Sequence, residues 1–90
     1  AEPAIDLGIV MAVISSFKNR PIEEGLLAFG EVGLSGEVRS VNQAQVRVAE
    51  AKKLGFQTCI LPQVCLEHMP EVKGIRLVGA RSVRDVMDYI

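Results

Sequence analysis

The chain has 90 residues, of which 49% are hydrophobic, and its ten basic and eleven acidic side chains give a formal net charge of −1. This length and composition are typical of one small globular domain. The even charge balance excludes a broadly basic surface for nucleic acid, so any such contact has to come from a local patch. With no Trp, one Tyr and three Phe, the chain also lacks the aromatic residues of a stacking platform for single strands.

The cysteine and histidine content argues against a metal site. Cys59 and Cys65 do not have CxxC spacing, and His68 is the single histidine. Two unpatterned cysteines favour reduced thiols and therefore a cytoplasmic protein. No signal peptide is apparent.

The first predicted helix starts at Pro3, a residue that is tolerated at the first helical position because its missing N–H has no partner there. Apolar residues cover most of its circumference, and the rest is a stripe of small side chains: Ala4, Gly8, Ala12 and Ser15. Small residues let a neighbouring backbone approach, so we expect a helix that is packed on several sides. It is too short to span a membrane. Either it is the central helix of this domain, or it packs against strands that precede residue 1.

After the sequence KNRP at 18–21 has ended this helix, a glycine-rich stretch predicts a β-hairpin. Residues 26–29 form its first strand, Gly30, Gly33 and Gly36 permit the tight turn, and residues 38–41 form its second strand. Asn42 is the predicted N-cap of a helix over residues 43–54, and Gly55 ends it. The core arc of this helix consists of Val41, Ala44, Val48, Ala51 and Leu54.

The remaining residues predict two more strands and a terminal helix. Residues 56–61 form a strand closed by Pro62, residues 63–69 form one or two helical turns, and residues 75–79 form the last strand. Ser82 caps a helix over residues 83–89. The order of elements predicts an α/β fold in which helices pack on one sheet.

Two outward features of the second helix concern binding. Val46 lies nearly opposite the core arc and is a candidate interface residue. Four basic residues on this helix and the preceding strand are candidates for one DNA-binding patch: Arg39, Arg47, Lys52 and Lys53. The alternative is that these are solvated side chains, with Arg47 and Glu50 paired at i,i+3.

Three segments together resemble the C-terminal domain of the RadA (Sms) family of bacterial DNA repair and recombination proteins. They are residues 29–39 (FGEVGLSGEVR), 49–56 (AEAKKLGF) and 60–62 (ILP). That domain is similar to the proteolytic domain of Lon protease, and the resemblance covers nearly the whole chain. It implies a single α/β (α+β) domain over residues 1–90, a two-layer sandwich with a mixed sheet. It also favours the second explanation of the first helix, because the family has preceding strands that this chain lacks.

The resemblance implies that peptidase chemistry is absent. Lon-type peptidases use a serine nucleophile and a lysine base, and the resemblance aligns residues 2–4 and 41–45 with the segments that carry them, so Ala4 and Gln45 stand at these positions. A supporting threonine is replaced by Phe29. Other polar residues offer no site with a predictable partner: Ser15, Ser16, Ser35, Ser40, His68, Glu31 and Glu37.

The family further implies a parent protein with a zinc motif and a RecA-like ATPase that drives DNA branch migration. ATP, Mg and Zn would belong to the parent's other domains, since this chain has no GxxxxGK[ST] motif and no cofactor is expected in it. The sequence is therefore interpreted as a non-catalytic module that self-associates in a ring and contacts DNA weakly, with no membrane contact. The alternatives are a Ser/Lys peptidase fragment, and a pure oligomerisation module without DNA contact.

Overall fold

The computed structural model describes residues 2–90. A 3₁₀ turn over Pro3–Ile5 leads directly into helix α1, Asp6–Lys18. Pro3 occupies the first helical position, as predicted. The helix ends because Asn19 adopts a left-handed conformation (φ 53°), which lets the N–H of Arg20 bond back to the Ser15 carbonyl at 3.1 Å.

Three parallel strands form the main sheet. They are β1 (Leu26–Ala28), β4 (Thr58–Pro62) and β5 (Arg76–Ala80), in the order β1-β4-β5. Ala28 is aligned with Ile60 on one side of β4, and Ile60 with Val78 on the other. All five residues of β4 are buried, as expected for the middle strand of a parallel sheet with both faces covered.

The glycine-rich hairpin is present, but its strands differ from the prediction. It consists of β2 (Glu31–Val32) and β3 (Val38–Arg39), which form a separate two-stranded antiparallel sheet. Residues 26–29 were expected to be its first strand, and β1 instead pairs in parallel with β4. The chain leaves β1 at Gly30, whose N–H donates to the Ala4 carbonyl (2.8 Å) and whose carbonyl accepts from the Leu7 N–H (3.0 Å). These two bonds turn the backbone toward α1 and end the strand.

Helix α2 covers Ala44–Lys53 and corrects two details of the prediction. Its N-cap is Gln43 in a left-handed conformation (φ 59°), without a side-chain cap bond, where Asn42 was expected. Leu54 is 67% exposed rather than part of the core arc, because it follows the last helical turn. Gly55 ends the helix as predicted: at φ 94° its N–H bonds to the Lys52 carbonyl, and the next N–H bonds to the Ala51 carbonyl.

Two short helices complete the chain. Helix α3 covers only Gln63–Leu66, and a 3₁₀ helix covers Val83–Tyr89. The predicted Ser82 cap is part of a full capping box, in which Ser82 and Asp85 each bond to the other's backbone N–H. Asp85 also accepts the N–H of Arg81 at 2.8 Å.

The α/β class with parallel and antiparallel strands is confirmed. Two hydrophobic clusters lie on opposite faces of the main sheet. One centres on Leu7, Met11 and Ile60 and includes Val86 of the last helix. The other contains Val48 and Ala51 of α2, together with further residues of the strands and of α3. Helices therefore cover both faces of the main sheet, whereas two layers were expected.

We expect the capping box to make stability depend on pH. The backbone N–H groups of Arg81 and Ser82 lower the pKa of the Asp85 carboxyl below its ordinary value of 3.8. A lowered folded-state pKa stabilises the fold above the unfolded-state pKa, and this contribution is lost as the pH falls through the folded-state value. Asp85→Ala should therefore lower the free energy of unfolding by more at about pH 7 than at about pH 2.

Urea unfolding at the two pH values measures this difference. Ser82→Ala, which carries no titrating group, is the matched control and should cost about 1 kcal/mol at either pH. An effect of Asp85→Ala that stays the same at both pH values would contradict the assignment.

Candidate functional site

The residues that the resemblance aligns with a Ser/Lys dyad, Ala4 and Gln45, have no nucleophilic or basic group. Ala4 is buried in the 3₁₀ turn before α1, and its carbonyl is held by the N–H of Gly30. Gln45 is exposed on the first turn of α2. Phe29, at the supporting position, is buried in the cluster that contains Val48. A methyl group cannot attack a carbonyl and an amide cannot accept its proton, so the residues present supply neither a nucleophile nor a base.

A small pocket of about 190 Å³ lies next to Ala4, and two of its charged groups bind each other. The guanidinium of Arg47 pairs with the carboxylate of Glu2 and donates to the Asn42 carbonyl at 3.1 Å. The expected pairing of Arg47 with Glu50 is replaced by this contact with a residue 45 positions away. Arg47 thus ties the first turn of α2 to the segment before α1.

Arg39 is held in the hairpin by two carboxylates. Its guanidinium lies 3.3 Å from Glu31 and 2.8 Å from Glu37. The backbone N–H of Glu37 and the Arg39 guanidinium lower the pKa of the Glu37 carboxyl. The guanidinium of Arg39 and the carboxylates of Glu31 and Glu37 therefore form an ion-pair cluster across the hairpin.

Lys52 and Lys53 lie in the last turn of α2 and are both exposed. Among residues 2–90, neither has a carboxylate within ion-pair distance. The four DNA-binding candidates therefore differ, because the two arginines are neutralised locally and the two lysines are not.

The other candidate residues form no site. The Ser15 hydroxyl donates to the Arg20 carbonyl, and His68 is exposed in the turn after α3. Cys59 is buried, which raises its pKa to about 12 and leaves its thiol unreactive at neutral pH. In the described part of the chain no group of three His, Cys, Asp or Glu side chains is placed to hold a metal ion.

A largely apolar surface, which we call the β1 face and whose two grooves also include Arg47, was only partly expected. It contains β1 itself and the outward apolar side chains of the two flanking helices: Ile5, Ile9, Val13 and Phe17 before β1 in the chain, and Val46 and Leu54 after it. Val46 is 62% exposed, in agreement with its predicted outward position, and Phe17 is 92% exposed. Two grooves of about 440 Å³ and 330 Å³ border Leu27 on this face.

The expectation that α1 is packed on several sides is wrong within residues 2–90. Its inner side is buried through Leu7 and Met11, and a Cβ at Gly8 would lie 3.3 Å from the Ala28 carbonyl oxygen, which is the close approach that a small residue permits. Ala12, however, is exposed. The residues of the small stripe therefore have different environments.

Strand β1 is an open edge of the main sheet in the described residues. The N–H of Phe29 donates to the Ile60 carbonyl, and the Gly25 carbonyl accepts from the N–H of Thr58. In a parallel ladder the intervening residues, Leu26 and Ala28, direct their backbone groups away from β4. No charged residue or proline of β1 itself protects this edge, and α1 approaches it at Ala28 through Gly8.

No helix in residues 2–90 has the length and apolar character needed to cross a bilayer.

We expect that restoring the dyad residues does not restore a peptidase. The unchanged chain and the double variant Ala4→Ser, Gln45→Lys should both fail to cleave casein or small peptide substrates, with or without ATP. Buried Phe29 fills the supporting position, and an exposed lysine at position 45 lacks the environment that lowers a lysine pKa. Release of labelled peptide measures this, and cleavage abolished by a serine-directed reagent would refute it.

Comparison with known proteins places the chain in a family. A family model described as subunit ChlI of Mg-chelatase matches residues 2–64. The proteins named "DNA repair protein RadA" from Bacillus subtilis and Streptococcus pneumoniae are 44% and 38% identical over 96% and 99% of this chain. The same-named protein of Halalkalibacterium halodurans is 41% identical over 97% of it. The chain spans about a fifth of the length of these relatives, 19% to 21%. The chain therefore belongs to the family described as subunit ChlI of Mg-chelatase, and its resemblance to RadA, first drawn from its motifs, is confirmed.

Proposed function

We propose that this chain is a non-catalytic domain of a RadA-like DNA repair protein, which serves as an assembly scaffold and contributes a DNA contact. The observation that carries the proposal is the identity of 38% to 44% with DNA repair proteins over nearly the whole chain. Ala4 and Gln45 at the dyad positions support a role without peptidase chemistry.

The domain would act as part of a longer polypeptide. It spans about a fifth of its relatives, and a RadA-like parent would supply the ATPase that drives branch migration. ATP and Mg would then bind the ATPase core, and Zn the N-terminal motif, because this chain has no P-loop. The Lon-like character of the domain and its cytoplasmic location belong to the same proposal.

The assembly role is supported by the β1 face. An open sheet edge next to exposed Ile9, Val13 and Phe17 is costly in water and is stabilised when another surface covers it. Exposed apolar patches of this kind mark protein contacts. We infer that this face is covered when the domain assembles.

The DNA contact rests on the exposed lysines of α2. Phosphate binding by lysine is electrostatic and sums over contacts, so few contacts give weak and salt-sensitive binding. A ring that repeats the same lysines strengthens the binding through avidity. An oligomerisation module without DNA contact is the second candidate, and it is favoured by the net charge of −1.

Introducing a charge on the β1 face should weaken self-association. We expect the chain to associate weakly in solution, and Val46→Glu to shift it toward the monomer, because a carboxylate would have to lose its water in the contact. Sedimentation velocity over a range of protein concentrations measures the shift. Leu34→Glu, at the fully exposed tip of the hairpin, is the matched control and should leave association unchanged. A strict monomer at high concentration would count against the scaffold role.

Salt titration distinguishes DNA contact from pure oligomerisation. The chain should bind duplex DNA weakly at low salt, and the slope of log K against log salt should not exceed about 3.6 in magnitude, since each of at most four phosphate contacts contributes about 0.9. Binding should be undetectable at moderate salt. Fluorescence anisotropy with labelled duplex and branched DNA measures both quantities, and no binding at low salt would leave the assembly role alone.

A further inference from the structure

We propose that Lys73, together with Lys52 and Lys53, forms the phosphate-binding surface of this domain, and that Arg39 and Arg47 lie outside it. We call the three lysines the lysine cluster. The inference rests on the proposed DNA contact and names its surface. The sequence pattern that suggested Lys52 and Lys53 was confined to α2 and the strand before it. It did not include Lys73, which lies in the turn before β5.

The side chain of Lys52 joins the two parts of the cluster. It lies against Gly74, where an added Cβ would be 2.9 Å from Lys52 Cε and 3.3 Å from Lys52 Nζ. Gly74 also has a φ of 89°, a conformation that suits glycine. The ammonium of Lys52 is therefore held next to the backbone of the residue that follows Lys73.

The topology of the sheet brings these residues to one end of the domain. Helix α2 ends immediately before β4, and β4 and β5 run parallel, so the C-terminus of α2 and the turn before β5 lie at the same end. Gly55, which ends α2, has open space where a side chain would be. A large ligand can therefore approach the backbone of Gly55 without steric hindrance from a side chain.

The charges of the cluster are available, whereas those of three arginines are not. Arg39, Arg47 and Arg81 each have a carboxylate partner within 4.0 Å, the last of them Glu67. In the described chain no such partner lies within that distance of any lysine of the cluster. A paired guanidinium must give up its carboxylate before it binds a phosphate, and an unpaired ammonium does not.

The shape of the surface indicates the class of ligand. All three lysines are exposed, on the last turn of a helix and on a turn, so they do not line an enclosed pocket. Small ligands are bound in concave sites that bury most of their surface. Three exposed positive charges on an open surface suit an extended phosphodiester backbone, and the cluster has no groups arranged to read bases.

The experiment measures binding of the 90-residue chain to a labelled DNA duplex over a series of low salt concentrations. Lys73→Gln should weaken binding several-fold and reduce the magnitude of the salt slope by about 1, as expected for the loss of one phosphate contact. The pair Lys52→Gln, Lys53→Gln should reduce the slope by about 2. Glutamine keeps part of the aliphatic stem, and the thermal midpoints of the variants verify that the fold is retained.

Two control variants make the outcome specific. Arg84→Gln removes an exposed basic residue from the 3₁₀ helix that follows β5, at the opposite end of the strands, and Arg39→Gln removes a carboxylate-paired arginine. Both should leave the slope unchanged. If the unchanged chain binds DNA and Lys73→Gln behaves like Arg84→Gln, the lysine cluster is refuted while the DNA contact survives. If the unchanged chain does not bind duplex DNA at low salt, the DNA contact itself fails, and the cluster with it.

Discussion

Gly30 joins the main sheet, the hairpin and the first helix. Its N–H and its carbonyl bond to the residues on either side of the start of α1, at Ala4 and Leu7, while the peptide itself ends β1 and begins the hairpin. A Cβ at this position would lie 2.9 Å from the Val38 side chain and 3.4 Å from that of Pro62, so the packing leaves room only for glycine. The main sheet, the hairpin and the first helix therefore take their relative positions from one residue.

The same constraint determines the role of Ala4 in the packing. The backbone of Ala4 is an acceptor for Gly30, and its methyl group is buried beside the strand end. The residue therefore contributes to the frame of the domain through a backbone contact and a small buried side chain.

Local signals in the sequence predicted local structure well. Pro3 at the helix start, Gly55 at the end of α2 and the Ser82 cap are all present, since each depends on neighbours only a few residues away. Strand pairing was less predictable. The sequence of residues 26–39 favours a hairpin, and one forms over residues 31–39, yet β1 pairs with a strand about thirty residues later, because burying both faces of β4 in the main sheet outweighs extending the hairpin to residue 26. The burial of Leu54 was also mispredicted, since helical periodicity does not show at which residue the helix stops packing against the core.

The resemblance alone assigned roles to Ala4, Phe29 and Gln45. The pairing of the charged side chains depends on contacts that the sequence does not reveal. Arg47 pairs with Glu2 across 45 residues, and Lys52 meets the turn at Gly74 across the end of the sheet. The open edge at β1 was likewise hidden, because nothing in the sequence indicates on which sides a strand has neighbours.

Amide hydrogen exchange tests most directly the proposal that the β1 face is a contact surface of a non-catalytic scaffold. The N–H groups of Leu26 and Ala28 point away from β4, so they should exchange rapidly in dilute monomer and slowly once the domain has assembled. Ile60, in the buried middle strand, should be protected in both states and serves as the internal reference. Rapid exchange at Leu26 and Ala28 in the assembled protein, equal to that in the monomer, would contradict the account.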